Sequence, residues 1–209
     1  MSERPKPQIS SRKQPKQARS NDLIAAVLDA AVQVLRTEGA SRFTTGRVAE
    51  RAGVSVGSLY QYFPNKAAIL FRLQSDEWRR TSAMLRDILE DGTRPPMERL
   101  RTVTHAVLRS ECDEAEVRTA LGDAAPLYRD APEAEAARVS GALIFRDFVG
   151  EAVPGVDASS VALAADLIEA TLTQVGSRFS EVERTSQEIA EYADAMADMI
   201  CAYLSIISK

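Results

Sequence analysis

Apolar residues recur at spacings of three and four along most of this chain, and no stretch alternates with the period of two that a half-buried strand would show. Leu23, Ile24, Val27, Leu28, Ala31, Val34 and Leu35 form one such stripe, which predicts a helix opened by Ser20 as N-cap, running to about Glu38 and stopped by Gly39. Pro64-Asn65-Lys66 begins a run to Asp91 that holds no further Gly or Pro. At 1.5 Å per residue that run is a helical rod of roughly 40 Å, long enough to lead from one domain into another. Gly92 to Pro96 breaks the pattern. Met97 to Ser110 then carries Leu100, Val103, Thr104, Val107 and Leu108 on one face, followed by an acidic turn from Glu111 to Glu116 and a short helix from Val117 to Leu121. Beyond Pro126 and Pro132 another helix holds Val139, Leu143, Ile144, Phe145, Phe148 and Val149 up to Gly150. The pattern predicts an all-α protein of about nine helices, without an internal repeat.

The last two helices have clear starts. Asp157 is placed to cap Ala158 to Phe179, and Thr185-Ser186-Gln187-Glu188 has the form of a capping box opening a helix to about Ile207. In this final helix Ile189, Ala193, Met196, Ile200, Tyr203 and Ile207 form one stripe, which Tyr192, Met199 and Ile206 widen. That surface is too wide to be buried by one core. The economical cover is the same pair of helices, 158–179 and 186–207, from a second copy of the chain.

The stretch Thr44 to Lys66, TTGRVAERAGVSVGSLYQYFPNK, has the grammar of two short helices joined by a tight turn. Thr44 or Thr45 caps the first, which buries Val48 and Ala49 and is backed by Phe43. Gly53 supplies the left-handed residue past its end, and Val54 plugs the corner. Ser55 caps the second helix, Val56 to Phe63, which turns Leu59 and Phe63 inward and leaves Val56, Gly57, Ser58, Tyr60, Gln61 and Tyr62 outward or sideways. Small residues for close approach to base edges and hydroxyls for phosphates suit a recognition helix of a helix-turn-helix.

The run AERAGVSVGSLYQYFPNKAAIL resembles the TetR family of bacterial transcriptional regulators, matching Ala-Gly-Val-Ser, a glycine two residues on, Leu-Tyr-x-Tyr-Phe and a lysine opening the next helix. The likeness covers Asp22 to Phe71. One departure is Gly46-Arg47, where the family more often has a basic residue followed by an acidic one. The resemblance implies that Thr44, Thr45, Ser55, Tyr60, Tyr62 and Lys66 lie near phosphates and Val56, Gly57, Ser58 and Gln61 near bases. A glutamine such as Gln61 can make a bidentate pair with adenine, and Lys66 at a helix start adds charge and free N–H groups. The resemblance also implies a dimer interface of four helices and, in the second domain, a mostly apolar inducer pocket. Trp78, Met84, His105, Tyr128, Phe145, Phe148, Thr171 and Gln174 are its candidate residues, although aromatic and sulfur side chains serve a plain core equally well.

Charge fits this division once it is split. Residues 1–66 hold 11 Lys and Arg against 5 Asp and Glu, or +6, whereas residues 67–209 hold 15 against 25, or −10, recovering the overall −4. A basic head meets phosphates and an acidic body is kept off them. Residues 1–19, with Arg4, Lys6, Arg12, Lys13, Lys16, Arg19, three prolines and one acid, read as a disordered basic arm, either a solvated tail or an extra DNA contact.

Catalytic chemistry has little to work with. The chain has a single histidine, His105, and no nucleotide-loop or Ser-His-Asp pattern. Cys112 lies seven residues beyond His105, with Glu111, Asp113, Glu114 and Glu116 nearby as possible ligands or acid/base groups, but one histidine and no closely spaced cysteine pair weigh against a zinc-type site and favour a surface acidic turn. No cofactor, metal or enzyme activity is expected. No apolar run approaches the ~18 residues of a membrane span, so the expected location is cytoplasmic, with reduced thiols at Cys112 and Cys201. The expected domains are the arm 1–19, a three-helix DNA-binding domain 20–66 and a helical ligand-binding and dimerisation domain 67–209. The expected function is a homodimeric repressor released from a palindromic operator in double-stranded DNA by a small-molecule inducer, the alternative being a ligand-independent regulator or an activator.

Overall fold

The computed structural model describes residues 18–124, 126 and 130–209, so most of the basic arm and Tyr128 lie outside the described residues. Among the described residues no strand occurs. The helices are α1 (Ala18–Glu38), α2 (Thr45–Arg51), α3 (Val56–Tyr60), α4 (Lys66–Leu89), α5 (Pro96–Asp113), α6 (Ala115–Ala124), α7 (Pro132–Ala152), α8 (Ala158–Ala170), α9 (Gly176–Phe179) and α10 (Ser186–Ile207). A 3₁₀ turn, Ala40–Arg42, precedes α2, and a π turn, Thr171–Val175, joins α8 to α9, so the predicted helix from Ala158 to Phe179 is continuous with one irregular turn.

Packing divides the chain into two compact units, Met1–Glu77 with Glu116–Ala134, and Trp78–Ala115 with Glu135–Lys209. In the first, α1 buries Ile24, Val27, Ala31, Val34 and Leu35, and the segments after it contribute Phe43, Val48, Leu59, Phe63 and Ile69. Gly39 ends α1 with a φ of 76°, as its place after the apolar stripe predicts. The start differs from expectation: α1 begins at Ala18, so Ser20 lies within the first turn and does not cap it. In the same unit Arg118 of α6 pairs with the buried Glu77 of α4 at 2.9 Å.

The second unit is built on α5 and α10, whose facing rows are Leu100, Val103, Val107 and Leu108 against Ile189, Ala193, Met196, Ile200 and Leu204. α7 adds Ile144, Phe145, Phe148 and Val149, and α8 adds Val161, Ala164, Ala165 and Ile168. Three boundaries are corrected. α5 runs to Asp113, three residues past the expected Ser110, and carries Glu111 into a buried position rather than a surface turn. α6 starts at Ala115, before Val117, and α7 passes through Gly150 to Ala152. At Gly176 the helices come so close that an added Cβ would sit 3.2 Å from the Glu111 Cγ and 3.5 Å from a Leu108 methyl.

A buried cation that no local pattern indicates sits in this core. Arg99 is 1% exposed and donates to the Leu89 carbonyl at the end of α4 and to the Glu151 carboxylate of α7, with its guanidinium 5.5 Å from the Phe148 ring centre. No helix among the described residues is long and apolar enough to cross a membrane.

Candidate nucleic-acid interface

The helices α2, α3 and α4 are each started by a side chain that its sequence position supplies. Thr44 caps α2, its Oγ1 accepting from Arg47 N at 3.2 Å, which decides between the two threonines. The end of α2 has the two bonds of a Schellman closure, Gly53 N to Glu50 O at 3.1 Å and Val54 N to Ala49 O at 3.0 Å, with Gly53 at φ 67°. Val54, half-buried in the corner, follows directly. Ser55 caps α3 by accepting from Ser58 N at 3.0 Å. Asn65, a cap absent from the sequence reading although asparagine before a helical run is a standard start signal, accepts from Ala68 N at 2.9 Å in the first turn of α4.

These caps fix which side of α3 faces out. Leu59 and Phe63 are fully buried, while Val56, Gly57, Tyr60 and Gln61 are exposed and Ser58 is half-buried. A methyl group added at Gly57 would meet nothing closer than Ser55 Oγ at 3.8 Å, so this glycine keeps the outward surface low rather than relieving a packing clash. The hydroxyls are ordered before any ligand arrives. Ser55 Oγ and Ser58 Oγ are 2.8 Å apart, and Thr45 Oγ1 and Tyr60 Oη are 3.1 Å apart, linking the two helices across the face. Lys66 is exposed at the first residue of α4.

Two side chains behave differently from the sequence pattern. Arg47 of the departing Gly46-Arg47 pair forms an ion pair with Glu38, tying α2 to the end of α1. Tyr62 lies beyond the end of α3, which stops at Tyr60 rather than Phe63, and its hydroxyl donates to Ser20 Oγ at 2.9 Å.

The pocket candidates in the body are dispersed. Phe145 and Phe148 are buried in the helical core with Met84 packed against it, and Trp78 is half-buried. His105 is 34% exposed, with Nε2 2.9 Å from an Asp194 carboxylate oxygen on α10. Thr171 donates its hydroxyl to Leu167 O at 2.6 Å from within the π turn, where Gln174 is exposed. Tyr128 lies outside the described residues. No cluster of three metal-ligating side chains occurs among the described residues.

A small helical head whose second and third helices meet at a glycine turn, presenting small and hydroxylated side chains outward ahead of a helical body, defines a helix-turn-helix DNA-binding regulator. Residues 27–73 match the family model for bacterial regulatory proteins of the tetR family, and residues 95–207 match the tetracyclin repressor-like C-terminal domain. The second match alone covers more than half of the chain, which belongs to the TetR family of transcriptional regulators.

The chain is 39% identical over 83 residues to the nucleoid occlusion factor SlmA of Vibrio campbellii, a match covering 39% of this chain and 42% of that protein. It is 31% identical over 84 residues to the HTH-type transcriptional repressor KstR of Rhodococcus jostii, covering 40% and 38% respectively. The matched region thus spans about two-fifths of these curated relatives. Among solved structures, the transcriptional regulator FadR from Bacillus subtilis in complex with stearoyl-CoA has the same fold, with a TM-score of 0.61 at 17% identity over 84% of this chain and 96% of that one. The family, KstR and FadR are transcriptional regulators, not enzymes.

Proposed function

We propose that this chain is a cytoplasmic homodimeric repressor that reads a palindromic operator with residues 20–66 and is released by a mostly apolar small molecule bound within residues 67–209. The observation that carries the reading is the outward face of α3. Val56, Gly57, Ser58 and Gln61 would meet base edges there, while Thr44, Thr45, Ser55, Tyr60 and Lys66 would meet the phosphates on either side.

The dimer is supported by apolar side chains that the single chain leaves in water. Leu163 and Leu167 on α8 and Tyr192, Met199 and Ile206 on α10 are exposed, with Leu163 at 64% and Ile206 at 67%. The spacings of four on α8 and of seven on α10 put each set on one helical face, so the two helices of a second copy would cover both. A two-fold dimer would hold two recognition helices about 34–36 Å apart, or a multiple of that, for successive major grooves. The inducer rests on family membership and on the FadR structure solved with stearoyl-CoA. A ligand that prefers one head spacing by ~1–3 kcal/mol is sufficient for a switch.

The test is fluorescence anisotropy with a duplex selected by the protein from a random-sequence pool, titrated with salt and then with stearoyl-CoA. Binding should fall with a log–log slope of several units, because each phosphate contact contributes about 0.9. A flat salt response would defeat the DNA-binding reading. Release by stearoyl-CoA would support an acyl inducer, and a family of apolar probes that neither release DNA nor raise the melting temperature would favour the ligand-independent regulator.

A further inference from the structure

The first turn of α2 carries one cation, and it stands one residue later than the family pattern places it: Gly46 takes the usual basic position and Arg47 the usual acidic one. The Arg47 amide donates to Thr44 Oγ1 at 3.2 Å, and the two residues, three apart, share the outward side of α2, opposite the buried Val48 and Ala49. Between them Thr45 Oγ1 lies 3.1 Å from Tyr60 Oη, so this turn adjoins the exposed face of α3. Thr44 and Gly46 are themselves exposed and small, and neither screens the guanidinium. Arg47 is already engaged. It pairs with Glu38, half-buried in the last turn of α1, where the negative end of the helix dipole disfavours a carboxylate.

We propose that Arg47 contacts a backbone phosphate by leaving Glu38, and that Glu38, through this exchange, sets how tightly the head binds DNA. Glu38 is then a positioning residue. It holds the guanidinium at the start of α2 in the free protein and lowers affinity by the worth of the pair that binding gives up. A phosphate offers arginine the same two-pronged acceptor as a carboxylate, and the contact also releases counterions, so low salt favours the exchange and rising salt reverses it. The outward face of α3 carries no charge, so the phosphates beside it are neutralised from the neighbouring elements, by Arg47 on α2 as by Lys66 on α4. This inference rests on the DNA-binding reading above and adds to it a residue pair that the family pattern does not contain.

The experiment uses the full chain and the selected duplex, with anisotropy titrations at several salt concentrations. Glu38→Gln, Arg47→Gln, Arg47→Lys and the double variant Glu38→Gln with Arg47→Gln are compared with wild type, each below its own melting transition. Arg47→Gln should weaken binding and lower the salt slope by about 0.9, the value of one phosphate contact, while Arg47→Lys keeps the wild-type slope. Glu38→Gln should tighten binding about twofold to fivefold, the worth of an exposed ion pair, while melting no higher than wild type. At about 0.15 M salt, where screening confines a lone charge to about 8 Å, that gain should fall to under about half once Arg47→Gln has removed the guanidinium. An unchanged slope in Arg47→Gln, or a lowered one in Arg47→Lys, would show that the charge at this position does not meet phosphate. A Glu38→Gln protein that binds no more tightly than wild type would make the pair a strut between α1 and α2. Equal gains from Glu38→Gln in both backgrounds would show Glu38 repelling phosphates by its own charge, without exchange. These results overturn the exchange and leave DNA binding standing, whereas absence of any duplex binding by the wild-type protein at low salt would overturn both.

Discussion

Replacing Glu151 by alanine removes a side chain that is 54% exposed, a change that at an ordinary surface position shifts stability by no more than about 0.5 kcal/mol. Its partner changes that expectation. Arg99 is buried to 1% and has exchanged water for the Glu151 carboxylate, the Leu89 carbonyl and the face of Phe148. Without the carboxylate the guanidinium retains only a neutral acceptor and a ring, and it cannot reach solvent without opening the contact between α5 and α7. Stranding one charge of a fully buried pair costs about 3–5 kcal/mol, and water at the open Glu151 side lowers this to roughly 2 kcal/mol. In a protein of this size each kcal/mol moves the melting midpoint by about 2–4 °C, so Glu151→Ala should melt about 4–8 °C lower. Arg99→Met leaves a carboxylate free to hydrate, so its cost comes from the uncapped Leu89 carbonyl and should be about 1–3 kcal/mol. Adding Glu151→Ala to Arg99→Met should then cost almost nothing further. Thermal unfolding followed by circular dichroism at one fixed protein concentration reads all three. Asp198→Ala, which breaks the exposed Arg101–Asp198 pair, is the control and should fall within about 1 kcal/mol of wild type. A Glu151→Ala midpoint within 2 °C of wild type, or costs that simply add in the double variant, would refute the account of Arg99 as a buried charge dependent on Glu151.

Gly53→Ala should destabilise the protein by about 1–2 kcal/mol, because the backbone at φ 67° is left-handed although the space around it is open. Gly46→Ala, in the first turn of α2 with only Thr44 Oγ1 at 3.9 Å, should be neutral or stabilising by up to about 1 kcal/mol, both variants being read by urea titration. Acid should weaken the starts of α8 and α10: the Ser159 and Ser160 hydroxyls hold the Asp157 carboxyl well below its ordinary 3.8, and the Thr185 amide and hydroxyl lower Glu188 below 4.5. These depressed values give stability that is present above the ordinary pKa values and lost as the pH falls through them, so Asp157→Asn should flatten the fall in melting temperature below pH ~4. Glu169 has the opposite sign, since burial and the nearby Asp166 raise its pKa, and Glu169→Gln should raise the melting temperature at neutral pH with the gain vanishing in acid. Leu163→Asp together with Met199→Asp should give a folded monomer by light scattering if α8 and α10 form the dimer seam, and an unchanged mass would place the seam elsewhere.

The parts of this molecule that sequence discloses are those whose cause lies within a few residues. Thr44, Ser55, Asp157 and Thr185 each satisfy a backbone donor two or three positions on, and Gly53 takes the one backbone conformation a Cβ disfavours, so these boundaries were readable from neighbours alone. Burial is set by whatever packs opposite. Arg99 belongs to the same apolar face as Leu100 and Val103 because Leu89 and Glu151 meet it there, and Glu151 is 52 residues away. Glu111 goes inward because α5 continues past the acidic run toward Gly176, whereas Val139 and Leu143, apolar in the pattern, stay exposed on α7. Tyr62 joins the two kinds of information. Periodicity carried from Val56 to Phe63 turns it outward with Tyr60, but that phase holds only while the helix lasts. α3 stops at Tyr60, and Tyr62 N and Phe63 N both bond to Leu59 O as the chain tightens, at 3.0 and 2.9 Å. The 100° step is lost within two residues, and the ring swings to the first turn of α1. A helix three residues shorter than its apolar pattern thus brings the Tyr62 hydroxyl to Ser20 on α1.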